Sequence, residues 1–178
     1  ISLTEKNMKN VKLKICGMKY PENVEEISTL NPDYLGFIFW EKSSRNMNLE
    51  TIPEIPNSIK KVGVFVNASV DEVLQMVDEC RLHMVQLHGD ETPKYCEKIA
   101  DYISVVKAFR FSETDNIGYR IQEYMSYCDM FMFDTEGVGY GGTGKKFNLE
   151  KLHGVTVGKP YFLSGMIEPG DAAALNEF

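Results

Sequence analysis

The sequence predicts an α/β fold built on a parallel sheet, and three observations carry that prediction. Short β-branched or aromatic runs alternate with helical patterns along the chain. The units recur every 20 to 27 residues or so, roughly the spacing of successive βα units. The strand runs also alternate in polarity. Strands covered by helices on both faces would be apolar on both. Here one face carries polar residues toward the strand C-terminal ends. A doubly wound open sheet fits the alternation alone. The polar phase favours a (β/α)8 TIM barrel, whose outer face packs on helices and whose inner face opens into a site at the top.

Each element has its own signal. Val11–Cys16 reads as the first strand, with Val11, Leu13 and Ile15 on one face and Lys12, Lys14 and Cys16 on the other. A helix follows from about Glu22 to Leu30, with Pro21 at its start, where a missing N–H is harmless. Tyr34–Phe39 is the second strand, then a short helix near Asn48–Ile55. Lys61–Val66 is the third, followed by a helix over Val70–Cys80 that Ser69 caps. Met84–His88 is the fourth, with Val85 and Leu87 opposing Gln86 and His88, and a helix over Pro93–Asp101 capped by Thr92 comes next. Ile103–Ala108 is the fifth, with a helix over Asn116–Met125. Met130–Asp134 is the sixth, with Phe131 and Phe133 opposing Met130, Met132 and Asp134. A helix near Leu149–His153, a seventh strand over Pro160–Ser164 and a helix from Asp171 complete the reading.

A closed barrel of this kind needs eight strands. The expectation is one domain over residues 1–178 with the eighth βα unit absent, incomplete at its C-terminus rather than open. An open parallel edge would expose unpaired backbone groups. The leading Ile1 is read as a start downstream of the native one.

Composition narrows the function classes. Hydrophobic residues make up 43% and charged residues 25%, ordinary for a globular protein with a real core. Net charge is -7 and the pI about 5.0, against a nucleic-acid binder or a partner of anionic membranes. No apolar run approaches the roughly 20 residues of a membrane helix. The four cysteines lack C-x-x-C spacing and the three histidines complete no zinc pattern. Reduced thiols in a cytoplasmic protein are expected, with Cys80, Cys96 and Cys128 as small buried residues.

The sixth strand ends on Asp134 and leads into a loop with Gly137, Gly139, Gly141, Gly142 and Gly144. A strand can position the acid, and glycine lets backbone N–H groups approach a ligand. That pairing suggests an enzyme acting on a phosphorylated or anionic small molecule. Gly137-x-Gly139-x-x-Gly142 fits a dinucleotide fingerprint, but it follows the wrong strand and the ribose-binding acid is missing. Gly139 to Lys145 begins like a P-loop, but Lys146 stands where Ser or Thr must hold magnesium.

Six segments, in order, make the reading specific. They are Lys14-Ile15-Cys16-Gly17; Gly36-Phe37-Ile38-Phe39 with Lys42-Ser43-Ser44-Arg45; Val62 to Asn67; Val85 to Glu91; Phe133-Asp134-Thr135 with Gly141 to Gly144 and Phe147; and Leu163-Ser164-Gly165. Together they resemble the phosphoribosylanthranilate isomerase family of tryptophan biosynthesis. The resemblance implies an Amadori rearrangement of N-(5-phosphoribosyl)anthranilate without metal or cofactor. It implies Asp134 as the acid that opens the ribose ring and Cys16 as the base that removes the C2′ proton. A free thiol ionises near pH 8.5, so such a base benefits from nearby positive charge, and Lys14 is the candidate. An ordinary Asp ionises near pH 3.9, so Asp134 must be protonated or proton-fed, and burial would supply that shift. Arg45 matches the residue that meets the anthranilate carboxylate. His88 is expected to orient the ribose or a loop. Phosphate is expected near Gly142, Thr143, Gly144, Ser164 and Gly165, on backbone N–H donors. Met166 departs from the family's second glycine, and Ser44 from its usual proline. The implied partner is the phosphosugar–anthranilate substrate, with no nucleic acid or membrane, for a monomer or homodimer. Two alternatives stay open: a non-catalytic or incomplete phosphosugar-binding barrel, and another metal-free phosphosugar isomerase.

Overall fold

The computed structural model describes residues 11–47, 52–112, 116–135, 148–152, 155–165 and 168–171. Among the described residues, seven parallel strands run in the order β1-β2-β3-β4-β5-β6-β7. They are β1 (Lys14–Cys16), β2 (Tyr34–Ile38), β3 (Lys60–Phe65), β4 (Met84–Leu87), β5 (Ser104–Phe111), β6 (Met130–Thr135) and β7 (Tyr161–Leu163). The α-helices are α1 (Pro21–Ser28), α2 (Val70–Cys80), α3 (Pro93–Ala100) and α4 (Ile117–Gln122).

Local chemistry places the helices. Pro21 opens α1 as expected. α2 has a capping box: Ser69 Oγ accepts from the Glu72 N–H at 3.2 Å, and Glu72 Oε2 accepts from the Ser69 N–H at 2.7 Å. Thr92 caps α3 by accepting from the Tyr95 N–H at 3.3 Å.

Several boundaries differ from the sequence reading. β1 opens at Lys14 rather than Val11. β5 runs on to Phe111, past Ala108, and α4 stops at Gln122. Of the helix expected at Asn48–Ile55, residues 52–55 are not helical; Pro53 and Pro56 deny the segment backbone donors and restrict the residues before them. Residues 48–51 lie outside the described set. The helix expected near Leu149–His153 is a 3₁₀ turn over Leu149–Leu152, and the last described element is another over Pro169–Asp171. His153 and the residues after Asp171 lie outside the described set.

The sheet is curled. Tyr34 on β2 and Phe162 on β7 meet edge to face with ring centroids 5.2 Å apart. In a flat sheet the five intervening steps would hold them roughly 24 Å apart. The curl divides the strand side chains into two cores. Outward residues such as Val85, Leu87, Val105, Phe109, Phe131 and Phe133 pack with the helices. Inward residues Tyr34, Val62, Val106, Ala108, Met132 and Phe162 pack on one another. Polar groups continue the inward phase above them, at the strand C-terminal ends.

Candidate active site

Cys16 ends β1 on the inward phase, in register with Gly36. A methyl group on Gly36 would stand 2.6 Å from Cys16 Sγ and 3.1 Å from Lys14 Nζ. The missing side chain therefore makes the space in which thiol and ammonium sit beside each other. Lys14 Nζ is buried without a hydrogen-bond partner among the described residues. Arg45 Nη1 donates to the Cys16 carbonyl at 2.9 Å. Its side chain covers Gly17, where φ is +91 and a Cβ would lie 2.4 Å from Nη1. Glycine is required there both for conformation and for contact. Arg45 thus braces the turn that carries Cys16, and it is exposed at the mouth.

Asp134 lies on the inward phase of β6 and is only 6% exposed. His88, just beyond β4, stands with Nε2 3.6 Å from Asp134 Oδ2. β5 separates the two strands; its inward residues are the small Ala108, one step past the Leu87–Lys107 pair, and Arg110, in register with Asp134. Asp134 Oδ1 accepts from the Thr135 N–H at 2.8 Å. Burial pushes the Asp134 carboxyl up, but the His88 and Ser164 side chains and the Thr135 N–H outweigh it and hold the group below its ordinary range. This corrects the expectation that burial leaves Asp134 protonated. Burial is present; the nearby His88 ring, the Ser164 side chain and the Thr135 N–H reverse its effect.

Ser164 follows β7, and its own N–H donates to the Phe133 carbonyl at 2.9 Å. Its backbone donor, expected for phosphate, is thus engaged within the sheet, and its side chain helps to lower the Asp134 carboxyl. Gly165 takes φ +108, a turn conformation that suits glycine. Gly142, Thr143, Gly144 and Met166 lie outside the described residues.

Sequence reasoning missed Lys107, Glu91, Gln86 and Arg110. Lys107 is 2% exposed, on the helix-facing phase of β5. Its ammonium donates to the carbonyls of Leu87 (3.1 Å), Gly89 (2.9 Å) and Ala108 (3.0 Å) and to Glu91 Oε2 (3.0 Å). Glu91 in turn accepts from the N–H groups of Asn67 at 2.9 Å and of Gly89 at 2.9 and 3.0 Å. The pair ties down the loop that carries His88. A lysine amid the apolar run of β5 was the available signal. Arg110, read as loop, ends the inward phase of β5 in register with Asp134 and bridges Asp90 at 3.0 Å. It lines a cleft of about 280 Å³ at the tip of β5, beside the mouth. Cys80, Cys96 and Cys128 are buried free thiols, as expected. No cluster of metal-ligating side chains occurs among the described residues.

Comparison with known proteins places this arrangement. A family model described as N-(5′-phosphoribosyl)anthranilate (PRA) isomerase matches residues 13–176. The N-(5′-phosphoribosyl)anthranilate isomerase of Phocaeicola vulgatus is 39% identical over 168 residues, covering 93% of this chain and 80% of that protein. The crystal structure of phosphoribosyl anthranilate isomerase from Thermotoga maritima superposes with a TM-score of 0.80 at 30% identity, over 94% of this chain and 82% of that one. A phosphoribosyl anthranilate isomerase in complex with reduced 1-(o-carboxyphenylamino)-1-deoxyribulose 5-phosphate superposes with a TM-score of 0.76 at 28% identity, over 94% and 81%.

Proposed function

This chain belongs to the N-(5′-phosphoribosyl)anthranilate isomerase family, and from that premise we propose that Asp134 and Cys16 are the acid and base of its reaction. The protein is an aldose–ketose isomerase of tryptophan biosynthesis. It rearranges N-(5′-phosphoribosyl)anthranilate to 1-(2-carboxyphenylamino)-1-deoxyribulose 5-phosphate. In our reading Asp134 delivers a proton to the ribose ring oxygen as the C1′–O bond breaks, leaving a Schiff base. The Cys16 thiolate then takes the C2′ proton, and the enolamine relaxes to the ketone. Lys14, beside Sγ, supplies the charge that a thiolate base needs.

The observation that carries this reading is the shared phase. Cys16, the last residue of β1, and Asp134, the last but one of β6, share the inward phase at the C-terminal rim where barrels of this class do their chemistry. We assign the whole fold as a (β/α)8 barrel forming a single domain, of which seven strands are described here. In the same reading Arg45, exposed beside the Cys16 turn, meets the anthranilate carboxylate. Phosphate binding falls to the Gly142–Gly144 loop and Gly165. A cytoplasmic location accords with the unpaired thiols, and a phosphosugar–anthranilate substrate with the acid–base pair.

Turnover of purified variants tests the roles. Cys16→Ala and Asp134→Asn should each lower kcat by at least about 10²-fold, the usual worth of a placed proton-transfer group, with an unchanged far-UV circular dichroism spectrum. Near wild-type kcat in either variant would reject that residue's role.

A further inference from the structure

Gln86 and His88 stand two residues apart on the inward phase of β4, and both are buried. Gln86 Nε2 lies 2.7 Å from His88 Nδ1, and His88 Nε2 lies 3.6 Å from Asp134 Oδ2. The three side chains thus form a line from the barrel interior to the mouth. Gln86 Oε1 and His88 Nε2 are buried without a hydrogen-bond partner among the described residues. A buried acceptor left unpaired loses its solvation without compensation, so the orphaned Gln86 oxygen points to a second arrangement of the amide.

The amide has one donating end and one accepting end. With its NH2 turned to Nδ1, His88 is a neutral ring whose single proton sits on Nε2, facing Asp134. Turned over, the orphaned Oε1 accepts an Nδ1–H, and a proton taken up from solvent at Nε2 then gives an imidazolium facing Asp134. The other charges around the ring are engaged elsewhere in either state: Lys107 of β5 is bound to Glu91, and Arg110 of β5 to Asp90. Lys14, on β1, belongs to the Cys16 side of the barrel.

We propose that Gln86 is a positioning residue that sets the protonation state of His88, and that His88 supplies the proton Asp134 delivers to the ribose ring. This rests on the reading of Asp134 as the acid. With the amide inverted, the imidazolium passes its Nε2 proton to Asp134 Oδ2. Asp134 passes it to the ring oxygen as the C1′–O bond breaks. The ring is left neutral, with Nδ1–H on Gln86 Oε1. The proton lost from this pair is matched by the one Cys16 takes from C2′, so the protein's proton count is unchanged by a turnover. The lowered Asp134 carboxyl fits the scheme: it rests ionised and is charged from its neighbour.

The test uses the full chain with Gln86→Glu, which can only accept at Nδ1, and Gln86→Met, which fills the space and does neither. Readouts are kcat, KM, the pH profile of kcat and the ¹⁵N resonances of the His88 ring. Gln86→Met should lose about 10- to 100-fold in kcat with KM within about 3-fold of wild type. Gln86→Glu should show both ring nitrogens protonated at neutral pH, and the alkaline limb of its kcat profile should move to higher pH. A folded Gln86→Met variant with wild-type kcat, pH profile and ring resonances would overturn the proposal. If the buried glutamate prevents folding, Gln86→Met alone decides. A wild-type chain that fails to turn over phosphoribosylanthranilate rejects the isomerase mechanism instead; the wild-type and Gln86→Met ring resonances then still decide whether Gln86 governs His88.

Discussion

At Asp134 the burial and the neighbouring polar groups pull in opposite directions, and the polar groups win. A carboxyl held lower in the folded state than its ordinary value of 3.8 adds stability above that value. The contribution is lost as pH falls through 3.8 and on through the lower folded value. Urea unfolding at pH 7 and pH 3 should therefore show wild type and Asp134→Asn further apart at the higher pH; an equal gap at both would contradict the assignment. The position of Asp134 was legible in its own strand, because Phe131 and Phe133 fix which neighbours face inward. The sign of its shift was not. The groups that set it include His88 and Ser164, just past β4 and β7 and remote in sequence. Cys16 was legible in the same way. Its relation to Lys14 depends on an absent side chain at Gly36, which no reading of β1 alone reveals.

Among the elements, the segment between β4 and α3 is held by one buried cation. Lys107→Met would leave Glu91 buried and uncompensated, at a cost of about 3–5 kcal/mol, readable as a fall in the urea midpoint. Adding Glu91→Leu should recover much of it, since an apolar replacement of both partners removes the stranded charge. A single variant as stable as wild type would show that the loop does not depend on the pair. α2 was fully legible, from Ser69 to Cys80, because its cap and its apolar spacing lie within one stretch of sequence. β5 was cut short at Ala108. Arg110 beyond it reads as a loop residue until Asp90 and the mouth of the sheet give it a partner. Residues 52–55 are not helical as the sequence reading expects, because Pro53 and Pro56 remove backbone donors and restrict the residues before them.

For the whole molecule, the alternation of strand and helix made a sequential parallel sheet legible, and the polar phase pointed to a barrel over an open sheet. What bends the sheet is packing between side chains remote in sequence. Phe162 fills the interior against Tyr34, and Phe162→Ala should cost about 3–5 kcal/mol with a single cooperative unfolding transition retained. A loss below 1 kcal/mol or so would mean that the curl is held elsewhere. The same contact also has a meaning in time. It joins the second strand to the seventh, so it can form only after most of the chain has been made and a long loop has closed. A nascent chain releases the strand bearing the thiol first, the strand bearing the acid much later, and the aromatic floor beneath them last. Helical signal therefore returns early in refolding, whereas turnover waits for the slowest, most non-local step.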